Sequence, residues 1–267
     1  MEINLKDRIA LITGSSRGIG FEIARTLGLS GAKVAICARD RAELKLATAQ
    51  LTAAGICCIA VVSDLTKAGS ADRVVNRVIK EWGGLDLLIN NVGGIPQTGR
   101  FEELADEAWV DAFQLNLMPM VRFCRVAMPH LQKSRFPRII NLSSMVAAQP
   151  GSYNPHYSAF KSAIVNLSKH LSGVYAKDGV LVNCISPGII HTEGWDLYIA
   201  GKAAEQGIDL ARCEAEENSR AVKNVPLKRL GLPQEVAGLV AFLASDHGAF
   251  ITGSNHRVDG GRVQAAS

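Results

Sequence analysis

Tyr157 and Lys161 stand four residues apart in HYSAFK (156–161), and Ser144 lies thirteen residues before the tyrosine, in NLSSM. On a helix, residues four apart share a face, so the phenol and the ammonium would be neighbours. A phenol donates protons, but its unperturbed pKa near 10 makes phenolate scarce at neutral pH. A positive charge one turn away favours phenolate and lowers that pKa, at ~1.4 kcal/mol per unit. A serine hydroxyl close by would bond the oxygen that receives the proton, so the chemistry implied is proton transfer to or from an oxygen. YxxxK is a common pattern, and by itself it fits a solvated pair on a helix surface. The rest of the chain must decide.

A second cluster lies near the N-terminus. The apolar run RIALIT (8–13) leads into TGSSRGIG (13–20), followed by helical spacing at Ile19, Ile23 and Leu27. Gly14 permits a tight turn, while Gly18 and Gly20 leave room for a pyrophosphate and for close helix–strand packing. The helix start offers free N–H groups and the positive end of its dipole to phosphates. Glycine-rich loops are frequent, but the position between a buried strand and a helix is what a dinucleotide site requires.

The second strand ends KVAICARD. Sites for NAD usually place an acid there to bond the ribose hydroxyls. Here Arg39 follows Ala38, and a guanidinium fork suits a 2′-phosphate. Arg17, within the glycine turn, adds a second positive charge, so NADP (NADPH) is favoured over NAD. Asp40 would bond the ribose if the strand ended one residue later, and both residues could equally be solvated loop charges.

These residues need elements to position them. RIALIT, KVAICA (33–38), CCIAVV (57–62), LDLLIN (85–90), RIINLS (138–143) and VLVNCIS (180–186) are continuously apolar, and HRVDG (256–260) is a seventh candidate. Helical spacing separates them, as at Ile164, Leu167, Leu171 and Val174. Strands apolar on both faces alternating with helices predict an α/β fold, a Rossmann-type doubly wound, mostly parallel seven-stranded sheet with helices on both faces. With no repeat, linker or low-complexity tract, residues 1–267 read as one domain. Ligands of such sheets bind beyond the carboxyl ends of the strands.

Composition narrows the classes. The chain is 48% hydrophobic and 20% charged, which excludes a disordered chain. The N-terminal stretch has no apolar signal core and the longest apolar run, LVAFLA (239–244), is too short to cross a bilayer, so a soluble, cytoplasmic protein is expected. The net charge of +4 is spread along the chain; the basic cluster VKNVPLKR (222–229) reads as a solvated loop, and no nucleic-acid partner is expected. Cys37, Cys57, Cys58, Cys124, Cys184 and Cys213 show no CxxC or ligand spacing, so no metal site is expected. Several of them look like small buried hydrophobes, and adjacent Cys57 and Cys58 leave redox sensitivity open.

Taken together, TGSSRGIG, NNVGG (90–94), Ser144, YSAFK, NCISPGIIHT (183–192) and ITGSNHRVDGG (251–261) resemble, in order and spacing, the short-chain dehydrogenase/reductases of about 250 residues, specifically the 3-oxoacyl-carrier-protein-reductase-like set. The resemblance runs from about residue 5 to 262. It implies an oxidoreductase moving hydride between a nicotinamide and a carbonyl or secondary alcohol, with Asn116, Ser144, Tyr157 and Lys161 as catalytic tetrad. It implies that Thr13, Ser16, Arg17, Gly18, Ile19 and Gly20 line the phosphates and ribose, and that Asp64 and Leu65 flank the adenine. Asn91 and Gly93 would hold the fourth strand end against the cofactor. Ile190 and Thr192, after the Pro187-Gly188 turn, would contact the carboxamide. Lys161 would also reach the ribose and relay protons through Asn116. Other readings stay open: Asn116 bonding backbone in a bent helix, Asp64 capping a helix, Ser143 in place of Ser144.

The chain departs from the family's common pattern at Val92 and Phe160, both packing positions. The loop 148–156 should wall the substrate pocket, His156 reading as a turn residue before a substrate contact. Segment 193–225 is longer than in short members and is expected to be a substrate lid, with Trp195, Leu197, Tyr198 and Ile199 facing an apolar substrate. A homotetramer is implied, and the face Ile164, Leu167, Leu171 fits burial there or in an internal core. The substrate is expected to be a ketone or 3-oxoacyl-type compound: Arg135 matches a basic position used for carrier-protein docking, but Asp178, with Lys177 adjacent, replaces the other, so an acyl carrier protein is possible but not favoured over a free ketone or alcohol. The alternatives are an NAD-dependent alcohol dehydrogenase and, from another class, a non-catalytic nucleotide sensor, which typically lacks the tyrosine or lysine retained here.

Overall fold

The computed structural model describes residues 2–266. Among these, β1 (Ile9–Thr13), β2 (Lys33–Ala38), β3 (Cys58–Val62), β4 (Leu87–Asn90), β5 (Arg138–Leu142), β6 (Leu181–Pro187) and β7 (Asn255–Val258) form one sheet in the order β3-β2-β1-β4-β5-β6-β7. Every pairing is parallel, from Ile9 opposite Lys33 to Pro187 opposite Val258. The predicted strands are all present, and the sheet is fully rather than mostly parallel. β7 ends before the predicted residue 260. Gly260 and Gly261 take left-handed conformations (φ +62° and +81°), and the Asp259 carboxylate accepts from the Gly261 and Val263 N–H groups, closing a turn.

The apolar runs are continuous because alternate residues serve opposite faces. Ala10, Ile12, Val34 and Ile36 join a core with Ile23 and Leu27 of α1 (Gly18–Leu29), Leu44 and Leu51 of α2 (Arg41–Ala53) and Val240 of α9 (Pro233–Ala244). Leu11, Ala35 and Cys37 point the other way. They meet Val74 and Val78 of α3 (Ser70–Trp82), Phe123 of α5 (Met118–Leu131) and Ile164 of α6 (Pro155–Tyr175). Leu167 and Leu171 pack against this second core, so that face of α6 serves the interior of the chain. The face therefore gives no support to a subunit contact. α4 (Asp106–Asn116) packs on α5 and α6. No helix among the described residues is long and apolar enough to cross a membrane.

The segment after β6 folds into α7 (Glu193–Gln206) and α8 (Leu210–Val222), a pair with a small core of its own: Ile199, Ala203 and Cys213, with Trp195 and Ile208 against them. Here the structure corrects the expectation of a substrate-facing side chain for two of the four apolar residues, Trp195 and Ile199, which are turned to α8. Ile199 is buried toward α8, and half-buried Trp195 donates its indole N–H to Asn218 at 2.9 Å. Leu197 and Tyr198 stay exposed, the Tyr198 hydroxyl bonding Glu217 at 2.9 Å. A two-helix excursion has to bury something of its own, and these residues supply it.

Strand order reverses between β1 and β4, and the turn after β1 is packed tightly there. A Cβ at Gly20 would lie 2.3 Å from the Gly14 carbonyl oxygen and 2.5 Å from Asn91 Nδ2, whereas one at Gly151 would meet nothing within 4 Å. Gly20→Ala should lower the thermal midpoint by several degrees, consistent with overpacking costs of about 1–3 kcal/mol. Gly151→Ala serves as the control. Equal midpoints for the two variants in a melting experiment would contradict this packing.

Candidate active site

Three side chains fix the ends of β1 and β4. The Thr13 hydroxyl accepts from the N–H groups of Asn91 (2.9 Å) and Val92 (3.1 Å), and the Asn91 side-chain amide donates to the carbonyls of Thr13 (2.9 Å) and Gly14 (2.8 Å). Ser15 ties the turn to β2, exchanging bonds with Cys37. Thr13 is fully buried. Expected to line the phosphates, it instead locks the turn, because its hydroxyl is shared by two N–H groups of the neighbouring strand end. Gly14 and Gly18 have φ of +62° and +58°, the left-handed region in which a side chain is strained.

Beyond this lock lie two cavities that share Gly14, Arg17 and Gly93. One, about 290 Å³, runs along Gly18, Ile19, Gly20 and Asn91 to Tyr157, Lys161, Pro187 and Thr192. The other, about 720 Å³, is bordered by Ser16, Arg39, Asp40, Glu43, Asp64 and Leu65. Most of the residues expected around a dinucleotide are thus gathered in one cleft. Gly188 and Ile190 border neither cavity. Gly188 lies against Asp259, where a Cβ would come 2.8 Å from its Cα, and the Ile190 side chain is buried in the core beside Gly231. A separate cavity of about 440 Å³ around Val225, Arg257 and Gly260 is lined by none of Asn116, Ser144, Tyr157 and Lys161.

The residues expected to transfer protons meet where the first of these cavities reaches β5 and α6. Lys161 is buried; its ammonium donates to the Leu142 carbonyl at 3.0 Å and lies 5.5 Å from the Tyr157 ring centre. Burial pushes the ammonium down to about 8. Half-buried Tyr157 is raised above the ordinary phenol value by burial, held back by a hydrogen bond with Ser144. Desolvation thus dominates both groups, and the lowering expected of Lys161 together with an oxidised nicotinamide belongs to the loaded cleft. Ser143 and Ser144 are separated by their bonds. The Ser143 hydroxyl donates to the Lys161 carbonyl at 2.7 Å, while Ser144, beyond its bond with the phenol, accepts only a 3.4 Å contact from Val146 N–H.

Asn116 ends α4 where the helix breaks before α5. Its side chain accepts from Gly94 N–H (3.0 Å) and donates to the carbonyls of Gly94 (2.9 Å) and Ala112 (3.0 Å). Gly93 lies between it and the lysine, and a Cβ there would sit 2.9 Å from Asn116 Oδ1 and 3.0 Å from Lys161 Nζ. The loop wall expected at 148–156 is held by Asn154, which exchanges bonds with Gly99. His156 is buried with both ring nitrogens unbonded, beside Trp109 and away from the cleft.

At the outer corner, Asp40 caps α2, its carboxylate accepting from Glu43 N–H at 2.9 Å. Asp64 is held by the N–H and hydroxyl of Thr66 (3.0 and 2.7 Å), which keeps its carboxyl below the usual range. Arg39 is exposed and forms no ion pair among the described residues. Two residues escaped the sequence reading. Glu43 bonds the Ser16 hydroxyl at 3.0 Å and Arg17 at 2.8 Å. Glu193, first residue of α7, accepts from Gly18 N–H at 3.0 Å. An anion already seated on the start of α1 is an observation of this structure that fits a phosphate there. D-x-x-E at 40–43 was a readable cap signal, whereas nothing local announced Glu193.

The comparisons with known proteins agree with this geometry. A family model described as enoyl-(acyl carrier protein) reductase matches residues 14–262. The chain is 34% identical over 260 residues to a 3-oxoacyl-(acyl-carrier-protein) reductase of Escherichia coli (strain K12), covering 97% of this chain and 98% of that one. It is 32% identical over 260 residues to galactitol 2-dehydrogenase of Agrobacterium fabrum, with 97% and 98% covered. The crystal structure of L-sorbose reductase from Gluconobacter frateurii, complexed with NADPH and L-sorbose, superposes with a TM-score of 0.94 at 33% identity, covering 99% of this chain and 100% of that one. The chain belongs to the short-chain dehydrogenase/reductase family, oxidoreductases acting on CH–OH and carbonyl groups.

Proposed function

We propose that this protein is an NADPH-preferring reductase of small ketones, working reversibly on the matching secondary alcohols. The observation that carries the reading is that Tyr157, paired with Ser144, and Lys161 line the same cleft that begins at the glycine turn. Gly14, Gly18, Ile19 and Gly20 would hold the diphosphate side of the cofactor, Ser16 and Arg17, with Arg39, the adenosine ribose and its 2′-phosphate, Asp64 and Leu65 the adenine, Pro187 and Thr192 the nicotinamide. When bound, the nicotinamide supplies the hydride.

The protein's part is position and protons. Ser144 bonds the carbonyl oxygen and fixes it beside the phenol. Tyr157 gives that oxygen a proton as the carbon gains the hydride, so one ketone, one NADPH and one proton become the alcohol and NADP⁺. The raised phenol suits an acid that must stay protonated until needed. Lys161 supplies the positive charge that supports the phenolate left behind. Asn116 is a positioning residue, tying Gly94 to α4 so that Gly93 roofs the ammonium.

For the cofactor, exposed Arg39 with no ion-pair partner favours a 2′-phosphate, and the engagement of Asp40 in the α2 cap removes the acid that would have bonded a ribose. Relatives named for a ketose and a sugar alcohol support a free ketone, such as a ketose, over a carrier-bound thioester. Asp178, bonded by Gln132 at 3.0 Å, also puts an acid where an acidic carrier would need a base.

Turnover of a panel of ketoses, diketones and 3-oxoacyl thioesters tests the reading. Tyr157→Phe should lower kcat by about 10²–10⁴-fold while NADPH affinity changes only a few fold. Unchanged turnover in the variant would sink the assignment. The pH profile gives a second test. A lysine with its pKa near 8 loses its charge as pH rises through that value, while the raised phenol stays protonated, so reductive kcat/KM should fall above pH about 8. A profile flat to pH about 9.5 would contradict the role given to Lys161.

A further inference from the structure

We propose that Glu43 is a specificity-determining residue that competes with the cofactor's 2′-phosphate for Arg17 and Ser16, so that the preference for NADPH over NADH is moderate and tunable at this one position. The inference rests on the reading of the cleft as a nicotinamide-dinucleotide site.

Local sequence and observed bonding disagree at Glu43. Asp40 and Glu43 have the N-cap and N3 spacing of a capping box, in which the glutamate would reach back to the N–H of its cap residue. Only half of that box forms. Asp40 accepts from Glu43 N–H, but the Glu43 carboxylate leaves its own helix and crosses to the glycine turn. One oxygen accepts from the Ser16 hydroxyl at 3.0 Å, the other from the Arg17 guanidinium at 2.8 Å. Both donors, and Glu43 itself, border the cavity that also holds Arg39.

The charges facing that corner are Arg17, Arg39, Asp40, Glu43 and Asp64. Asp40 and Asp64 are held by backbone and threonine donors, and Arg39 has no ion-pair partner. Glu43 is therefore the anion that bears on a phosphate through shared partners. An incoming 2′-phosphate must either take Arg17 and Ser16 from this carboxylate or sit beside it as a like charge. Both routes weaken NADPH. NADH carries no phosphate at that ribose and loses nothing. The pair is partly exposed, with side chains 51% and 38% accessible, so the effect should be modest and screened by salt.

The test is direct titration of NADPH and NADH into wild type, Glu43→Gln and Arg39→Ala, read by cofactor fluorescence at low and high salt. Glutamine keeps the size and an acceptor but drops the charge, and leaves the Asp40 cap to backbone intact. Glu43→Gln should tighten NADPH about fivefold, equivalent to ~1 kcal/mol, shift NADH less than about twofold, and lose most of its gain at high salt. Arg39→Ala should weaken NADPH far more than NADH, which checks the underlying reading. If Arg39→Ala shows no such selectivity, the 2′-phosphate corner is misplaced and both claims fall. If Arg39→Ala is selective but Glu43→Gln weakens NADPH or leaves it unchanged, the cofactor reading stands. Glu43 then orients Arg17 instead of competing for the phosphate, and the present inference is overturned.

Discussion

Everything in the site depends on the bond between two strand ends that are neighbours in the sheet but far apart in the chain. Asn91, at the end of β4, donates its amide to the carbonyls of Thr13 and Gly14 at the end of β1, while Thr13 accepts from the backbone of β4. Strand order reverses here, so the helices that follow β1 and β4 depart to opposite faces and a crevice opens between them. Unpaired backbone groups at such a crevice would be costly, and the Asn91–Thr13 exchange satisfies them internally. It also holds Gly14 close enough that only hydrogen fits at Gly20, and so sets where α1 begins.

A second constraint follows from burying an ammonium. Lys161 is almost fully shielded, with a single backbone carbonyl as hydrogen-bond acceptor, and its lowered pKa reflects that desolvation. The fold tolerates it because α6 is pinned beneath by Ser143 on the Lys161 carbonyl, and because Gly93 lets the β4 loop close over it. Tyr157 rides on the same helix turn. Phenol and ammonium are thus placed by one helix, and the Ser144 hydroxyl by the turn that follows β5.

Much of this could be read from the sequence. The strands were legible because parallel strands buried on both faces leave unbroken apolar runs, and the glycine turn because its context, strand before and helix after, is also written locally. Tyr157, Lys161 and Ser144 were legible through spacing. The failures have a common cause. Thr13, Glu43 and Glu193 act through partners 78, 27 and 175 residues away, respectively, and no local period encodes such pairings. The same holds for Ile199 and Trp195, whose apolar character suggested a substrate and proved to serve the α7–α8 contact. The desolvation of Tyr157 and Lys161 was missed because burial belongs to the whole fold, whereas their mutual charge effect is visible in six residues of sequence.

The central claim is that this cleft brings a nicotinamide and a ketone together for direct hydride transfer beside Tyr157. NADPH carrying deuterium at C4, prepared separately on each face, and a panel of ketoses, diketones and 3-oxoacyl thioesters test it most directly. The account predicts that label from one face alone appears on the carbinol carbon of an alcohol product. Label retained in the cofactor from both faces, label lost to water, or no turnover of any ketone would contradict it.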